Sequence, residues 1–334
     1  ERICILRQLG YAGLQQGRLR LTPRAMAPEQ AWRDWRTNKE HFLAQAETRT
    51  LAVLADDCLK QLPAVLRGTV PVTDILFPNG SMEKIEGLYK NNRVCDYFND
   101  VVAAVAERYI RQRCHSDPAA HIRIIEIGAG TGGTTSTVLP HLHAWQDHIE
   151  EYCFTDLSRS FFHHARKRYG STYPYLKEAL CNIEQPLQPQ DIAAGVYDIA
   201  IATNVLHATR NMRVTLRNAK AALRCDGILI MNEISGKTIF ASVLFGLIDG
   251  WSLAEDAHWR IPGSPGLYPD NWRALLLEQG FRSVQFPAAA DHGLGQQIIV
   301  ADSDGLIRQG EAGQITPALA ASMARQPSAV PAPP

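Results

Sequence analysis

Two residues of this 334-residue chain are of the right type, and in the right setting, to move a proton. His207 lies in Asn204-Val205-Leu206-His207-Ala208-Thr209 and Glu233 in Met231-Asn232-Glu233-Ile234. Each run follows a short apolar segment that reads as a buried strand, 197–203 and 227–231, so each residue is expected just past a strand end. Where such strands are neighbours in a parallel sheet, both side chains emerge at the carboxyl edge, the place where open α/β sheets bind ligands. An imidazole accepts a proton near neutrality, and a carboxylate on its second nitrogen fixes the tautomer and stabilises the imidazolium. His207 is therefore a candidate general base and Glu233 its orienting partner. The rival reading, a helix-capping histidine and a surface carboxylate, does not account for the matched positions. The remaining histidines show no such pairing, and His163-His164 reads as the solvated face of a helix.

A third run, Glu126-Ile127-Gly128-Ala129-Gly130-Thr131-Gly132-Gly133, follows the apolar segment 122–127 and opens a helix. Glycines there permit positive φ and a close approach of backbone to ligand. Gly128, Gly130 and Gly133 also satisfy dinucleotide spacing, so the loop alone admits NAD as readily as S-adenosylmethionine (SAM). Glu126 discriminates between them, because its carboxylate can face the ammonium of a methionine moiety and would repel a pyrophosphate. SAM, released as S-adenosylhomocysteine, is the expected cofactor. Asp156 follows the segment 151–155, where it can accept the ribose hydroxyls, and Asn182 offers a donor and an acceptor to an adenine edge. The full set of expected cofactor contacts is Glu126, Gly128, Gly130, Gly132, Asp156, Leu157, Asn182, Ile183 and Asn204. With an activated methyl donor, the protein's task is to expose a nucleophile in line and exclude water, and a base makes that nucleophile. No metal is called for.

These residues need a scaffold, and the sequence supplies one. From about 101 onwards, strand-like and helix-like runs alternate, the sign of βαβ units. Helices are expected at 159–169, 212–223 and 271–279. The last two strand candidates, 282–286 and 296–301, are joined by too few residues for a crossover helix and form a hairpin. The expected fold is α/β, a mostly parallel sheet with a C-terminal antiparallel hairpin behind a helical accessory region. The expected division is a helical lid region over 1–98, a SAM-binding core over 99–303 and a flexible linker tail over 304–334, whose Pro-rich end stays extended. A start without methionine, inside an amphipathic run, together with that tail, suggests a domain within a longer polypeptide.

Lys plus Arg and Asp plus Glu balance at 34 each, which argues against nucleic acid and against an anionic membrane surface as partners. Seven scattered cysteines lack metal-ligand spacing and read as free thiols. No run approaches the ~20 apolar residues of a membrane span, and a cytoplasmic protein is expected.

The runs Leu76-Phe77-Pro78-Asn79-Gly80-Ser81, Glu86-Gly87-Leu88-Tyr89, the glycine loop, Phe154-Thr155-Asp156-Leu157-Ser158 and Asn204-Val205-Leu206-His207-Ala208-Thr209 together resemble the C-methyltransferase domains of polyketide synthases and hybrid synthases. The likeness spans about 74–300 and is most specific at the Asn-Val-Leu-His-Ala-Thr run. It departs at Asn182, where the family more often has aspartate, and at Asn79, where glycine is usual. The resemblance implies a Rossmann-like, seven-stranded class I methyltransferase core plus an N-terminal helical lid. It also implies methylation at the α-carbon of a β-ketoacyl chain, tethered through phosphopantetheine to an acyl carrier protein, with neighbouring domains of the same synthase as partners. It implies that His207 removes the α-proton, Glu233 orients it, and Tyr89 lines the substrate tunnel. The rivals are an O-methyltransferase using the same pair, an NAD(P) oxidoreductase, and a silent scaffold domain.

Overall fold

The structure, a computed structural model, describes residues 6–7, 9–78, 83–89, 92–237 and 239–309. The chain opens with a hairpin, β1 (Ala12–Gln15) and β2 (Arg18–Leu21), which the helical reading of 1–98 missed. Its two-residue turn, Gln16-Gly17, has positive φ at both positions (51° and 75°), the conformation that matches hairpin twist. Helices α1 (Pro28–Ala44), α2 (Ala46–Leu66), α3 (Val72–Leu76) and α4 (Glu83–Tyr89) follow. Then comes α5 (Arg93–Ser116), capped by Asn92, whose Oδ1 accepts from the backbone N–H of Val94 and Cys95. Phe98, Val102, Ala106, Ile110 and Cys114 recur every fourth residue on α5 and pack on the sheet, so one helix runs through the position 98/99.

The α/β core comprises β3 (Ile122–Ile127), α6 (Thr135–His141), β4 (Ile149–Asp156), α7 (Ser160–Tyr169), β5 (Leu176–Leu180), β6 (Tyr197–Thr203), α8 (Met212–Ala222), β7 (Leu223–Ile234), α9 (Ile239–Leu244), α10 (Pro269–Glu278), β8 (Phe281–Gln285) and β9 (Gln296–Ser303). The seven strands lie in the order β5-β4-β3-β6-β7-β9-β8, parallel except that β9 runs antiparallel to β7 and β8. Successive residues alternate between faces: Ile199, Ile201, Ile228 and Ile230 face the layer of α5, α6 and α7, whereas Ala200, Ala202, Leu229 and Met231 face that of α8 and α10. The expected hairpin is present. β5 went unread because LKEAL is a partly exposed edge strand with no apolar run.

The lid is assembled from two separate segments. Leu54, Cys58, Val72, Leu76, Ile85 and Leu88 from the N-terminal helices pack with Leu244 of α9, joined by Phe245 and Ile248. The insertion after β7 thus completes a layer that the sequence assigned to 1–98 alone. No helix among the described residues is long and apolar enough to cross a membrane.

Candidate active site

The sheet's topology reverses at β3: β4 and β5 lie to one side, β6 and β7 to the other. Such a switch point opens a crevice at the carboxyl edge, and the glycine loop lies there. Gly128, Gly130 and Gly132 all have positive φ (65°, 54° and 74°). A Cβ on Gly128 would come within 2.5 Å of the Val205 side chain, whereas one on Gly130 would meet nothing closer than 4.0 Å. Gly128 is thus required by packing and Gly130 by backbone conformation beside open space. Gly132 shapes the turn, its carbonyl accepting from the Tyr169 hydroxyl (3.2 Å).

A cavity of about 220 Å³ lies against this loop, lined by Glu126, Gly128, Gly130, Thr134, Thr203 and Asn232 among others. Glu126 is buried, and its Oε2 accepts from Thr135 Oγ1 and Tyr152 OH, both at 2.6 Å. Burial pushes this carboxyl up to about 7, more strongly than the two hydroxyls pull it down. The Asn232 Oδ1 and Thr203 Oγ1 atoms are buried without a hydrogen-bond partner among the described residues. Native interiors seldom leave such atoms unpaired unless something else occupies the site. Acceptor oxygens beside a carboxyl suit a cationic group, which fits the methionine end of SAM.

Asn204 lines this cavity too, whereas Asp156, Leu157, Asn182 and Ile183 lie outside it, past the ends of β4 and β5. Asp156 ends β4; its oxygens accept from the backbone N–H of Gly130 and of Ser158, both at 3.0 Å, and burial raises its pKa. Leu157 is 71% exposed. Asn182 closes its own turn, Oδ1 accepting from the Glu184 N–H (3.0 Å). The Ile183 side chain is buried in the core rather than at the edge, and its carbonyl accepts from Asn218. Tyr89 is the last residue of α4; its side chain lies outside the described residues, as does the turn 79–82.

β6 and β7 are neighbours, and they bring His207 and Glu233 together. Asn204, at φ 53°, turns the chain out of β6, its N–H donating to the Asn232 carbonyl (2.7 Å). A single 3₁₀ turn, Leu206–Ala208, then carries His207. Glu233 was expected past the strand end, yet it lies inside β7 as its penultimate residue, because pairing with β9 extends the ladder through Glu233 and Ile234. Its side chain is fully buried, so the surface-carboxylate reading fails. Oε1 accepts from the N–H of Leu206 (2.8 Å) and of Val205 (3.3 Å), while Oε2 meets His207 Nδ1 at 2.5 Å. One carboxylate thus fixes both the ring and the turn that carries it. As a carboxylate Glu233 can only accept, and in that form the contact selects the tautomer with the proton on Nδ1 and the lone pair on Nε2.

Sequence reasoning missed Arg260. It is 5% exposed, pairs with Asp256 (2.7 Å), and donates to the carbonyls of His207 (2.8 Å), Thr209 (2.9 Å) and Pro265 (2.9 Å). Asp256 in turn accepts from the Met212 N–H at the start of α8 (2.6 Å). The i,i+4 spacing of Asp256 and Arg260 was the one available signal.

His207 opens onto a second cavity of about 750 Å³ between the lid and the sheet edge. Its wall is mostly apolar, with Leu51, Leu88, Ile234, Phe240, Leu244 and Trp251, whose ring lies edge-on to the imidazole at 6.4 Å; Asn92, Arg93 and Gln296 are among its polar members. Cys95, Asn204, Phe245 and Gln296 line both cavities and mark where they meet.

A family model described as a methyltransferase domain matches residues 125–229. Polyketide synthase PksR of Bacillus subtilis (strain 168) is 52% identical over 278 residues, 83% of this chain and 11% of PksR. The chain spans about a tenth of the length of the curated relatives it matches. The crystal structure of the DszA carbon methyltransferase is 35% identical with a TM-score of 0.83, covering 92% of this chain and 78% of that one. CalH, a trans-methyltransferase solved in complex with SAH, is 25% identical with a TM-score of 0.65, over 84% of this chain and 74% of its own. Fold, glycine turn and cavity define the class: this is a SAM-dependent methyltransferase. Within that class, the chain belongs to the carbon-methyltransferase domains of polyketide synthases.

Proposed function

We propose that this domain methylates the α-carbon of a β-ketoacyl thioester borne on an acyl carrier protein, with His207 as general base and Glu233 as its orienting partner. The observation that carries this reading is the buried His207–Glu233 pair on the wall of an apolar cavity that joins the glycine-loop cavity. When bound, SAM supplies the electrophilic methyl. Glu126, Gly128, Gly130 and Asn204 hold its methionine end, Gly132 shapes the loop, and Asp156, Leu157, Asn182 and Ile183 form the strand-end row for its nucleoside. His207 Nε2 takes the α-proton; the ketone and thioester flanking that carbon delocalise the resulting charge, so an imidazole is a sufficient base. Glu233 holds the tautomer and stabilises the imidazolium. The apolar part of the wall excludes water, and Tyr89 is the substrate-tunnel residue that the family resemblance implies. The neighbouring domains of a synthase supply the carrier.

The split between binding and turnover tests the roles. His207→Ala is expected to abolish methyl transfer while leaving SAM affinity unchanged by calorimetry, and Asp156→Ala to weaken SAM binding. A loss of SAM affinity in the His207 variant contradicts the assignment.

A further inference from the structure

The removal of an α-proton leaves negative charge on a substrate oxygen, and neither His207 nor Glu233 is placed to neutralise it. His207 Nε2 has just become a donor to the carbon side, and both Glu233 oxygens are committed to Nδ1 and to the Val205 and Leu206 N–H groups. A further donor is needed where the acyl cavity meets the cofactor cavity. Of the four residues that line both, Phe245 has no donor, Cys95 is a weak one, and Asn204 belongs to the cofactor set.

Gln296 is the fourth. It opens β9, and its backbone pairs opposite Ile234, one residue beyond Glu233. Its amide is underused for so enclosed a place: Nε2 donates to the thiol of Cys95 (3.6 Å), a weak acceptor, and Oε1 is buried with no partner among the described residues. The Cys95 thiol itself donates to the Leu88 carbonyl (3.4 Å), so toward Gln296 its sulfur can only accept, which keeps Nε2 on that side. That contact takes one N–H of Nε2 and leaves the other for a ligand at the junction.

We propose that Gln296 is a catalytic residue that donates a hydrogen bond to the enolate oxygen of the substrate, with Cys95 holding the amide in place. This rests on the α-carbon reading above. In the step, the α C–H bond breaks, the proton passes to His207 Nε2, the C–H pair becomes the enolate C=C bond, and the carbonyl π pair moves onto the oxygen facing Gln296. The C=C pair then forms the carbon–methyl bond as the oxygen pair re-forms the carbonyl and the sulfur–methyl bond breaks, its electrons staying on sulfur. A fixed donor aimed at developing oxyanion charge is worth about 10²–10³-fold in rate.

The test separates enolate formation from methyl transfer. Wild type, Gln296→Leu and Gln296→Glu are incubated in D₂O with a β-ketoacyl pantetheine thioester without SAM, and exchange at the α-carbon is followed by NMR above the background set by His207→Ala. Methyl transfer and SAM binding are measured in parallel. Gln296→Leu is expected to lower catalysed exchange and methyl transfer together by about 10²-fold with SAM affinity unchanged. Gln296→Glu, which turns a carboxylate on the enolate, is expected to fall further still. Unchanged exchange in Gln296→Leu with weakened SAM binding overturns the proposal and gives the amide to the cofactor. Equal or greater activity in Gln296→Glu than in Gln296→Leu reduces Gln296 to a packing role and also overturns it. If wild type itself catalyses no exchange above background, the α-carbon reading fails, and this proposal fails with it.

Discussion

Replacing Glu233 by glutamine changes one atom and reverses the chemistry of its neighbour. The side chain is fully buried, and Oε1 accepts from the Leu206 N–H at 2.8 Å. Leaving that N–H unpaired would cost about 1–3 kcal/mol, so the amide carbonyl keeps that place and the NH₂ group replaces Oε2 against His207. The contact there is 2.5 Å from Nδ1, close enough that two opposed N–H groups are not tolerated. His207 must then present its Nδ1 lone pair to the amide and carry its proton on Nε2. A ring so held faces the acyl cavity as a donor and cannot act as a base. The comparable loss of the correct tautomer in a Ser-His-Asp triad costs about 10⁴ in kcat, or about 5 kcal/mol of barrier. Single-turnover methyl transfer with saturating SAM reads this directly, with SAM affinity and thermal unfolding as controls for the fold. A Glu233→Gln variant within tenfold of wild type would refute the reasoning, since the carboxylate would then be structural.

Three further perturbations follow from the same geometry. Arg260→Ala leaves Asp256 buried without its partner and three carbonyls unpaired; thermal unfolding should show a loss of about 3–5 kcal/mol, and kcat should fall because the His207 turn loses its clamp. Glu126 is raised to about 7 by burial, so the folded state holds its proton more tightly than the unfolded chain does. Stability is therefore full below about pH 4.5 and declines as pH rises to about 7, by roughly 3 kcal/mol in all. Urea titrations across that range should show the decline in wild type and not in Glu126→Gln, and calorimetry in two buffers should show proton release as SAM binds. Asp56 behaves oppositely: burial raises it, but Lys39, Lys60 and Trp35 together outweigh burial and hold it at about 2. The contribution of Asp56 is present above the ordinary carboxylate pKa of about 3.9 and is lost as pH falls toward about 2, loosening α1 from α2. Trp35 fluorescence should report that transition, and Asp56→Asn should abolish its pH dependence.

Local runs announced the glycine loop, both members of the His207–Glu233 pair and the strands β3, β4, β6 and β7, because each of these strands is an apolar segment ending in chemistry-bearing residues; β8 and β9 were legible as a hairpin from the short connection between them. β5 escaped because an edge strand with one face open to solvent needs no apolar run. Gln296 escaped for a different reason: only antiparallel pairing of β9 with β7 brings it beside Ile234, and that pairing is non-local. Trp251, Phe245 and Arg260 lie in an insertion of short 3₁₀ turns with no periodicity to read, yet they form the far wall of the acyl cavity and the clamp on His207. The Ile183 side chain packs in the core, so the place proposed for it beside the cofactor is that of its backbone in the turn after β5.

The position of the transferred methyl tests the central claim most directly. The protein is incubated with SAM and a β-ketoacyl thioester on an acyl carrier protein, and the product is fragmented by mass spectrometry, with His207→Ala alongside. A methyl on the α-carbon, absent from the variant, is the result this account predicts. A methyl on oxygen, or SAM bound with no transfer to any thioester, would contradict it.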